Sequence, residues 1–148
     1  MANSHFIKTR IEPLMRAELA KICGVPFLER EMPIRWKGEG TGVFRFDAVS
    51  EDCSIVASLS TARNLKSGQR AKLMRDATFM WLIPKVARRI LAVVEASVAA
   101  ALNVELKRGR LPPGTEIVVV NLARELREEI DKFRTLAAKE VGANEDVE

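Results

Sequence analysis

The sequence predicts an α/β domain with one mixed β-sheet and the element order α-β-β-β-α-β-α-β-α. Apolar residues near both ends recur at steps of three and four, which is typical of amphipathic helices. Three segments between residues 27 and 60 alternate apolar and polar side chains, as half-buried strands do. In the second half, short apolar runs alternate with helical segments. Such crossovers favour parallel strands in a single sheet.

The first helix is predicted over residues 9–23 and ends at Gly24, a residue that suits a helix terminus. Its apolar side chains fall on one face of the helix and should cover the sheet. They are Ile7, Ile11, Leu14, Met15, Leu19 and Ile22.

Three antiparallel strands are predicted next, over residues 27–36, 43–49 and 54–60, because the connections between them are short enough for hairpins. Regular alternation of the middle strand puts Phe44, Phe46 and Ala48 on one side, and Val43, Arg45, Asp47 and Val49 on the other. A hairpin centred on residues 51–52 places Asp47 opposite Val56.

The second half continues with a helix over residues 70–82, whose apolar stripe comprises Leu73, Met74, Ala77, Met80 and Trp81. A strand at 90–94, a helix at 97–106 and a strand at 116–120 follow. The last helix, 122–141, presents Leu122, Leu126, Ile130, Phe133, Leu136 and Val141 inward. We expect one domain over residues 1–142 and a flexible acidic tail over 143–148.

Composition limits the chemistry. The chain has 148 residues, of which 47% are apolar and 30% charged, so it can bury a core and is not disordered as a whole. No apolar run is long enough to span a membrane, and residues 1–10 lack the apolar stretch of a secretory signal. We therefore expect a cytoplasmic protein.

One histidine, two distant cysteines and no nucleotide-binding fingerprint predict no bound transition metal or organic cofactor.

Charge is distributed unevenly along the chain. The segment 63–89 carries eight basic residues and one acid, a net charge of +7, whereas residues 125–148 carry a net charge of −4. A basic segment of this kind favours phosphate contacts, so we expect it to bind DNA or RNA. The alternative is an ordinary solvated surface. The candidate nucleic-acid-binding residues are Arg63, Lys66, Arg70, Lys72 and Arg75.

Asp47 lies on the second predicted strand, within Arg45-Phe46-Asp47-Ala48. With the element order αβββαβ up to the strand at residue 90, this position resembles the PD-(D/E)xK nuclease superfamily, which has the restriction-endonuclease-like fold. In that superfamily an aspartate on the second strand and a Glu-x-Lys on the third hold a divalent metal and a water. This chain departs from the pattern, because Ser58-Leu59-Ser60 stands where Glu-x-Lys belongs.

The resemblance therefore implies a restriction-endonuclease-like domain without nuclease activity, which binds nucleic acid through its basic face. Members of this superfamily sometimes move a catalytic residue to a neighbouring helix. The first alternative is accordingly an Mg²⁺- or Mn²⁺-dependent nuclease with Asp47 and Lys72 as catalytic residues. Its metal ligands would be Asp47 and a glutamate of the first helix, Glu18 or Glu12. The second alternative is a homodimeric interaction module that associates through a strand edge or an apolar face.

Overall fold

The computed structural model describes residues 5–36 and 40–147, with Arg134 and residues 137–147 described by their backbone alone. It has the predicted fold class and element order. The sheet contains β1 (Phe27–Arg35), β2 (Thr41–Ser50), β3 (Ile55–Ser60), β4 (Arg88–Val93) and β5 (Thr115–Val119), side by side in that order. The first three strands are antiparallel and the last three are parallel. The helices are α1 (Glu12–Cys23), α2 (Ser67–Trp81), α3 (Ala96–Lys107) and α4 (Arg124–Val147).

Helices cover both faces of the sheet, which gives three layers. Along β4, Ile90 and Ala92 point to the layer of α1 and α4, while Leu91 and Val93 point to the layer of α2 and α3. The apolar run of this strand is continuous because both of its faces are buried, as is usual for parallel strands. Among the described residues, none of the helices combines the length and the hydropathy that a membrane crossing requires.

The buried apolar faces of two helices are narrower than the sequence predicts. The apolar face of α1 is formed by Met15 and Leu19, which are fully buried together with Ile11 just before the helix, whereas Leu14 and Ile22 are exposed. In α2, Met80 is buried but Trp81 is 52% exposed, because successive helix residues point about 100° apart. Including Leu14, Ile22 and Trp81 in the stripes was therefore wrong.

The last helix also differs from the prediction. α4 runs to Val147, through the segment predicted as an acidic tail from residue 143. Gly142 disfavours a helix by only about 1 kcal/mol relative to alanine, and no proline follows it, so the helix continues. Leu136, predicted to face inward, is exposed, and the side chain of Val141 lies outside the described residues.

A β-bulge interrupts β2. One residue of β1, Glu29, lies opposite two residues of β2, Asp47 and Ala48. The extra residue reverses the alternation of the strand, so that Phe46 and Val49 both face α2 while Ala48 faces α1. The predicted regular alternation, with Phe46 and Ala48 on one side, was wrong for this reason.

The pairing register of β2 on β3 also differs from the prediction. Val49, rather than Asp47, pairs with Val56 of β3. The difference is two residues, and side chains repeat their direction every two residues along a strand. The predicted faces of β3 are therefore unchanged.

Arg89 belongs to the basic segment but points into the protein. Its guanidinium donates hydrogen bonds to three backbone carbonyls around the end of α2: Met80 O at 2.7 Å, Ile83 O at 2.9 Å and Val86 O at 3.3 Å. The Met80 carbonyl also accepts a hydrogen bond of 3.2 Å from the N–H of Ile83. Arg89 adds a charged donor to it and ties the end of α2 to the segment that follows the helix.

We expect Arg89→Met to lower the free energy of unfolding by about 2 kcal/mol, because it leaves these carbonyls without a charged donor. The matched control is Arg88→Met. Arg88 makes a partly exposed pair with Glu116, with Nε–Oε2 and Nη2–Oε1 distances of 2.9 Å, and such pairs contribute about 1 kcal/mol or less. Urea denaturation measures both variants, and equal losses would contradict the assigned role of Arg89.

Candidate active site

The candidate site lies where β2 and β3 separate. The two strands pair only at Ala48–Ala57 and Val49–Val56. Just beyond this short ladder, the carboxylate Oδ2 of Asp47 accepts a hydrogen bond of 3.0 Å from the backbone N–H of Leu59. The side chain of Asp47 thus reaches the neighbouring strand at the bulge.

Arg16 of α1 fixes the same bulge from the helix layer. Its Nη1 donates a hydrogen bond of 2.9 Å to the backbone carbonyl of Asp47. Asp47 is therefore held through its carboxylate by β3 and through its carbonyl by α1.

Glu12 stands at the first position of α1, and its place is set by an unusual turn. Residues Ile7–Ile11 form a π-helical turn, in which the N–H of Glu12 donates to the carbonyl of Ile7, five residues earlier. The next residue, Pro13, has no N–H to donate, so a regular α-helical bond is missing at this point. Single π-turns of this kind occur frequently at functional sites.

The carboxylate of Glu12 is buried, and protein hydrogen bonds do not fully replace the water that it loses. Its side chain is 13% exposed, and its Oε1 atom accepts no hydrogen bond from the part of the chain that the structure describes. Arg16 Nη1 lies 4.0 Å from this oxygen, too far for a hydrogen bond. An oxygen that is buried and unpartnered in this way is costly for the fold and calls for a functional explanation.

Burial perturbs both acids. The pKa of Glu12 is raised to about 7, first by burial and then by the charge of Asp47, against the opposing charges of Arg16 and Lys72. Burial also raises the pKa of Asp47, against the hydrogen bond from Leu59 and the charge of Lys72. Carboxyl groups perturbed by desolvation and by a specific neighbour are common in active sites.

Lys72 of α2 connects the two acids. It lines a cavity of about 100 Å³ together with Asp47 and Ser58. It also lines a second cavity, of about 190 Å³, together with Glu12 and Ser60. Asp47 and Glu12 therefore line two different cavities, and Lys72, from a third element, lines both.

The two serines in place of the Glu-x-Lys pair have local partners. Ser58 is buried, and its hydroxyl donates a hydrogen bond of 2.7 Å to Oδ2 of Asp76. The hydroxyl oxygen of Ser60 accepts a hydrogen bond of 3.2 Å from the N–H of Ala62. Asp47 and Ser58 line the same cavity, as expected if they share a face of the sheet.

Of the two glutamates proposed from the sequence, Glu12 lies beside Asp47. Glu18 instead forms an ion pair with Lys21, one turn along α1, at 2.9 Å. Glu18 follows Glu12 by six residues, which places its side chain about 120° around the helix axis from that of Glu12. The structure therefore places Glu12, and not Glu18, at the cavity that Lys72 lines.

The five basic residues predicted to form one binding face are dispersed. Arg63 pairs with Asp131 of α4 at 2.9 Å, and Arg70 pairs with the buried Glu105 of α3 at 3.1 Å. Arg70 is half-buried and the other four are exposed, and Arg75 also pairs with its neighbour Asp76 at 2.9 Å. Of the five, Lys72 and Arg75 line the cavities of the candidate site, whereas Lys66 lines neither cavity.

The sequence analysis did not identify Arg16 and Asp76 as residues of the candidate site. Asp76 had a detectable signal, because it falls between Leu73 and Met80 on the apolar face of α2, where a carboxylate needs a partner. Arg16 follows Glu12 by four residues, a spacing that brings two side chains together on a helix.

Comparison of the chain with protein-family models, curated protein sequences and solved structures gives no match.

The raised pKa of Glu12 predicts a pH-dependent stability. The folded protein holds this proton more tightly than the unfolded chain, so the associated stability is present below about pH 4.5 and is lost as the pH rises through 7. Glu12→Gln removes this loss. Between pH 5 and pH 8 we expect the free energy of unfolding of the wild type to fall by about 2 kcal/mol more than that of Glu12→Gln.

Urea denaturation at pH 5, 6, 7 and 8 measures this difference. Glu18→Gln is the matched control, since it removes an acid of the same helix that lies outside the site, and it should follow the wild type. Parallel pH profiles for the wild type and Glu12→Gln would contradict the buried state of Glu12.

Proposed function

We propose that this chain is a divalent-metal-dependent nuclease of the restriction-endonuclease-like kind, with Asp47 and Glu12 as metal ligands and Lys72 beside the attacking water. The observation that carries the proposal is that Asp47 and Glu12 line two cavities that share Lys72, and that the two carboxylates are close enough for the charge of Asp47 to raise the pKa of Glu12. The element order and the position of Asp47 on the second strand support the same assignment.

The donor set suits a magnesium-like cation. The described residues contain no group of three or more His, Cys, Asp and Glu side chains that could hold a metal. Mg²⁺ does not need one, because it commonly takes one or two carboxylates and completes its shell with waters and substrate phosphates. The buried, unpartnered Oε1 of Glu12 fits a cation ligand. When bound, the cation would neutralise phosphate charge and lower the pKa of a water.

The remaining residues supply orientation and charge. Lys72 is positioned to donate hydrogen bonds to the attacking water or to a phosphate oxygen in either cavity. Gln69 and Ser60 line the larger cavity and offer further hydrogen-bond partners to a phosphodiester. Arg16 holds the backbone at Asp47 and so orients that carboxylate.

A second candidate function is binding of nucleic acid without cleavage. The observation that favours it is the local use of Ser58 and Ser60, which bond Asp76 and Ala62 in the positions of the missing Glu-x-Lys. Binding of this kind depends on phosphate contacts, so it weakens linearly with the logarithm of salt concentration and needs no metal. Cleavage that depends on Mg²⁺ or Mn²⁺ separates the two functions.

Calorimetric titration with Mn²⁺ and Mg²⁺ tests the metal site. We expect one site per chain in the wild type and an affinity at least about tenfold lower in Asp47→Asn and in Glu12→Gln, because each variant removes one of two charged ligands. Glu18→Gln should bind like the wild type. The proposal fails if the wild type gives no binding heat, or if Asp47→Asn binds as tightly as the wild type.

Cleavage of labelled oligonucleotides in Mg²⁺ or Mn²⁺ tests the role of Lys72. We expect Lys72→Met to retain the metal affinity and to lose roughly 100-fold or more in cleavage rate, the usual effect of removing a group that assists proton transfer. Lys66→Met, which removes an exposed lysine outside both cavities, should cleave normally. Salt-dependent binding without cleavage by the wild type would instead support the second candidate.

A further inference from the structure

An aromatic cluster extends from the candidate site to the protein surface. The ring of Phe44 on β2 contacts those of Phe46 and Phe79, with centroid distances of 4.9 and 4.8 Å. Phe79 of α2 in turn meets Trp36 edge-on at 6.1 Å. Exposure increases along this series, from the buried Phe46 through the half-buried Phe44 and Phe79 to Trp36, which is 48% exposed.

Cations accompany the same cluster. The guanidinium of Arg75 lies 5.5 Å from the ring centre of Phe44, within the range of a cation–π contact. Arg75, Arg45 and Lys72 line the cavity of about 100 Å³, and so do Phe44 and Asp47. Aromatic rings and cations therefore lie between Asp47 and the exposed ring of Trp36.

This combination favours a polyanion that carries flat apolar groups. Nucleic-acid single strands bind where aromatic rings stack with bases and nearby cations contact the phosphates. A duplex hides the faces of its bases within the stack, so it cannot use such rings. At the outer end of the cluster Trp36 offers a half-exposed ring, and at its inner end Arg75 lies over the ring of Phe44.

We infer that the site acts on single-stranded nucleic acid, with a base stacked on Trp36 and the following phosphates running past Arg75 and Lys72 toward Asp47. This inference rests on the proposed function, because it names the substrate class of the same site. The stacking itself requires neither the metal nor cleavage.

The other tryptophan provides an internal control. Trp81, at the end of α2, is similarly exposed, at 52%, but among the described residues it makes no ring–ring or cation–ring contact. The chain has two tryptophans and no tyrosine. Trp81→Phe thus leaves Trp36 as the only indole fluorophore, and Trp36→Phe leaves Trp81.

The test is a fluorescence titration with 12-nucleotide oligo(dT) or oligo(U), in EDTA so that no strand is cleaved. We expect quenching by roughly half in Trp81→Phe and little change in Trp36→Phe. A blunt duplex of the same length should quench neither. A difference between the two oligonucleotides would identify DNA or RNA as the preferred strand. Equal quenching of both variants, quenching by the duplex, or no quenching would overturn the inference.

Affinities measured with end-labelled oligonucleotides provide a second readout. We expect Trp36→Ala to bind the single strand roughly tenfold more weakly, as is usual for the loss of one stacking ring, and Trp81→Ala to bind like the wild type.

Asp47→Asn should keep the quenching and lose cleavage. Retained quenching in a wild type that never cleaves overturns the proposed function alone. Metal-dependent cleavage without quenching overturns the stacking inference alone.

Discussion

The β-bulge at Asp47 is the constraint on which the candidate site depends. The extra residue keeps Phe46 and Val49 on one side of the sheet, so the core beneath α2 stays filled. It also accompanies the early end of the β2–β3 ladder, and residues of both strands, Asp47 and Ser58 among them, line the cavity of about 100 Å³ at this point. A one-residue shift in the pairing of a regular strand turns every following side chain to the opposite face of the sheet. In this protein the bulge reverses the alternation only in the last part of β2, from Ala48 onward.

The acids of the protein fall into two kinds. Asp76 and Glu105 are buried with full sets of partners: Asp76 bonds Ser58 and Arg75, and Glu105 pairs with Arg70 and Arg110. Glu12 is buried beside Asp47 and lacks a hydrogen-bond partner for Oε1 within the described chain. Among the described residues, one other buried carboxylate oxygen, Oε2 of Glu129, also accepts no hydrogen bond, but it lies 3.3 Å from Arg10 Nη2. The corresponding ion pair of Glu12 with Arg16 is longer, at 4.0 Å. Unsatisfied polar groups of this kind are expected at functional sites, and the proposed cation would bind Oε1 of Glu12.

The fold was predictable from the sequence because its signals are local and repeat along each element. Alternation along β3 and the apolar run of β4 identify strands without any knowledge of their neighbours. Asp47 and Lys72 were named from the sequence, the first from its position on a strand and the second by analogy with the superfamily, and they line one cavity. The choice between Glu12 and Glu18 depended on the rotation of α1 about its axis, which the π-turn before Pro13 sets.

Other features depend on contacts between distant segments. The stretch around Phe46 and Asp47 fits a regular strand as well as a bulged one, so the reversal at Ala48 had no signature in the sequence. Arg63 and Arg70 were predicted to belong to a basic face because the acids with which they form ion pairs, on α4 and α3, are far away along the chain. Charge counts along a segment therefore overstated the charge that the folded surface presents.

The most direct test of the account is the location of Mn²⁺ in solution by paramagnetic broadening of amide signals in ¹⁵N-labelled protein. The account predicts that substoichiometric Mn²⁺ selectively broadens the amides of Glu12, Asp47 and Leu59, and that Glu12→Gln weakens this effect. Broadening centred on Glu18 or on the acidic helix α4, or uniform broadening throughout the spectrum, would contradict a cation site formed by Asp47 and Glu12.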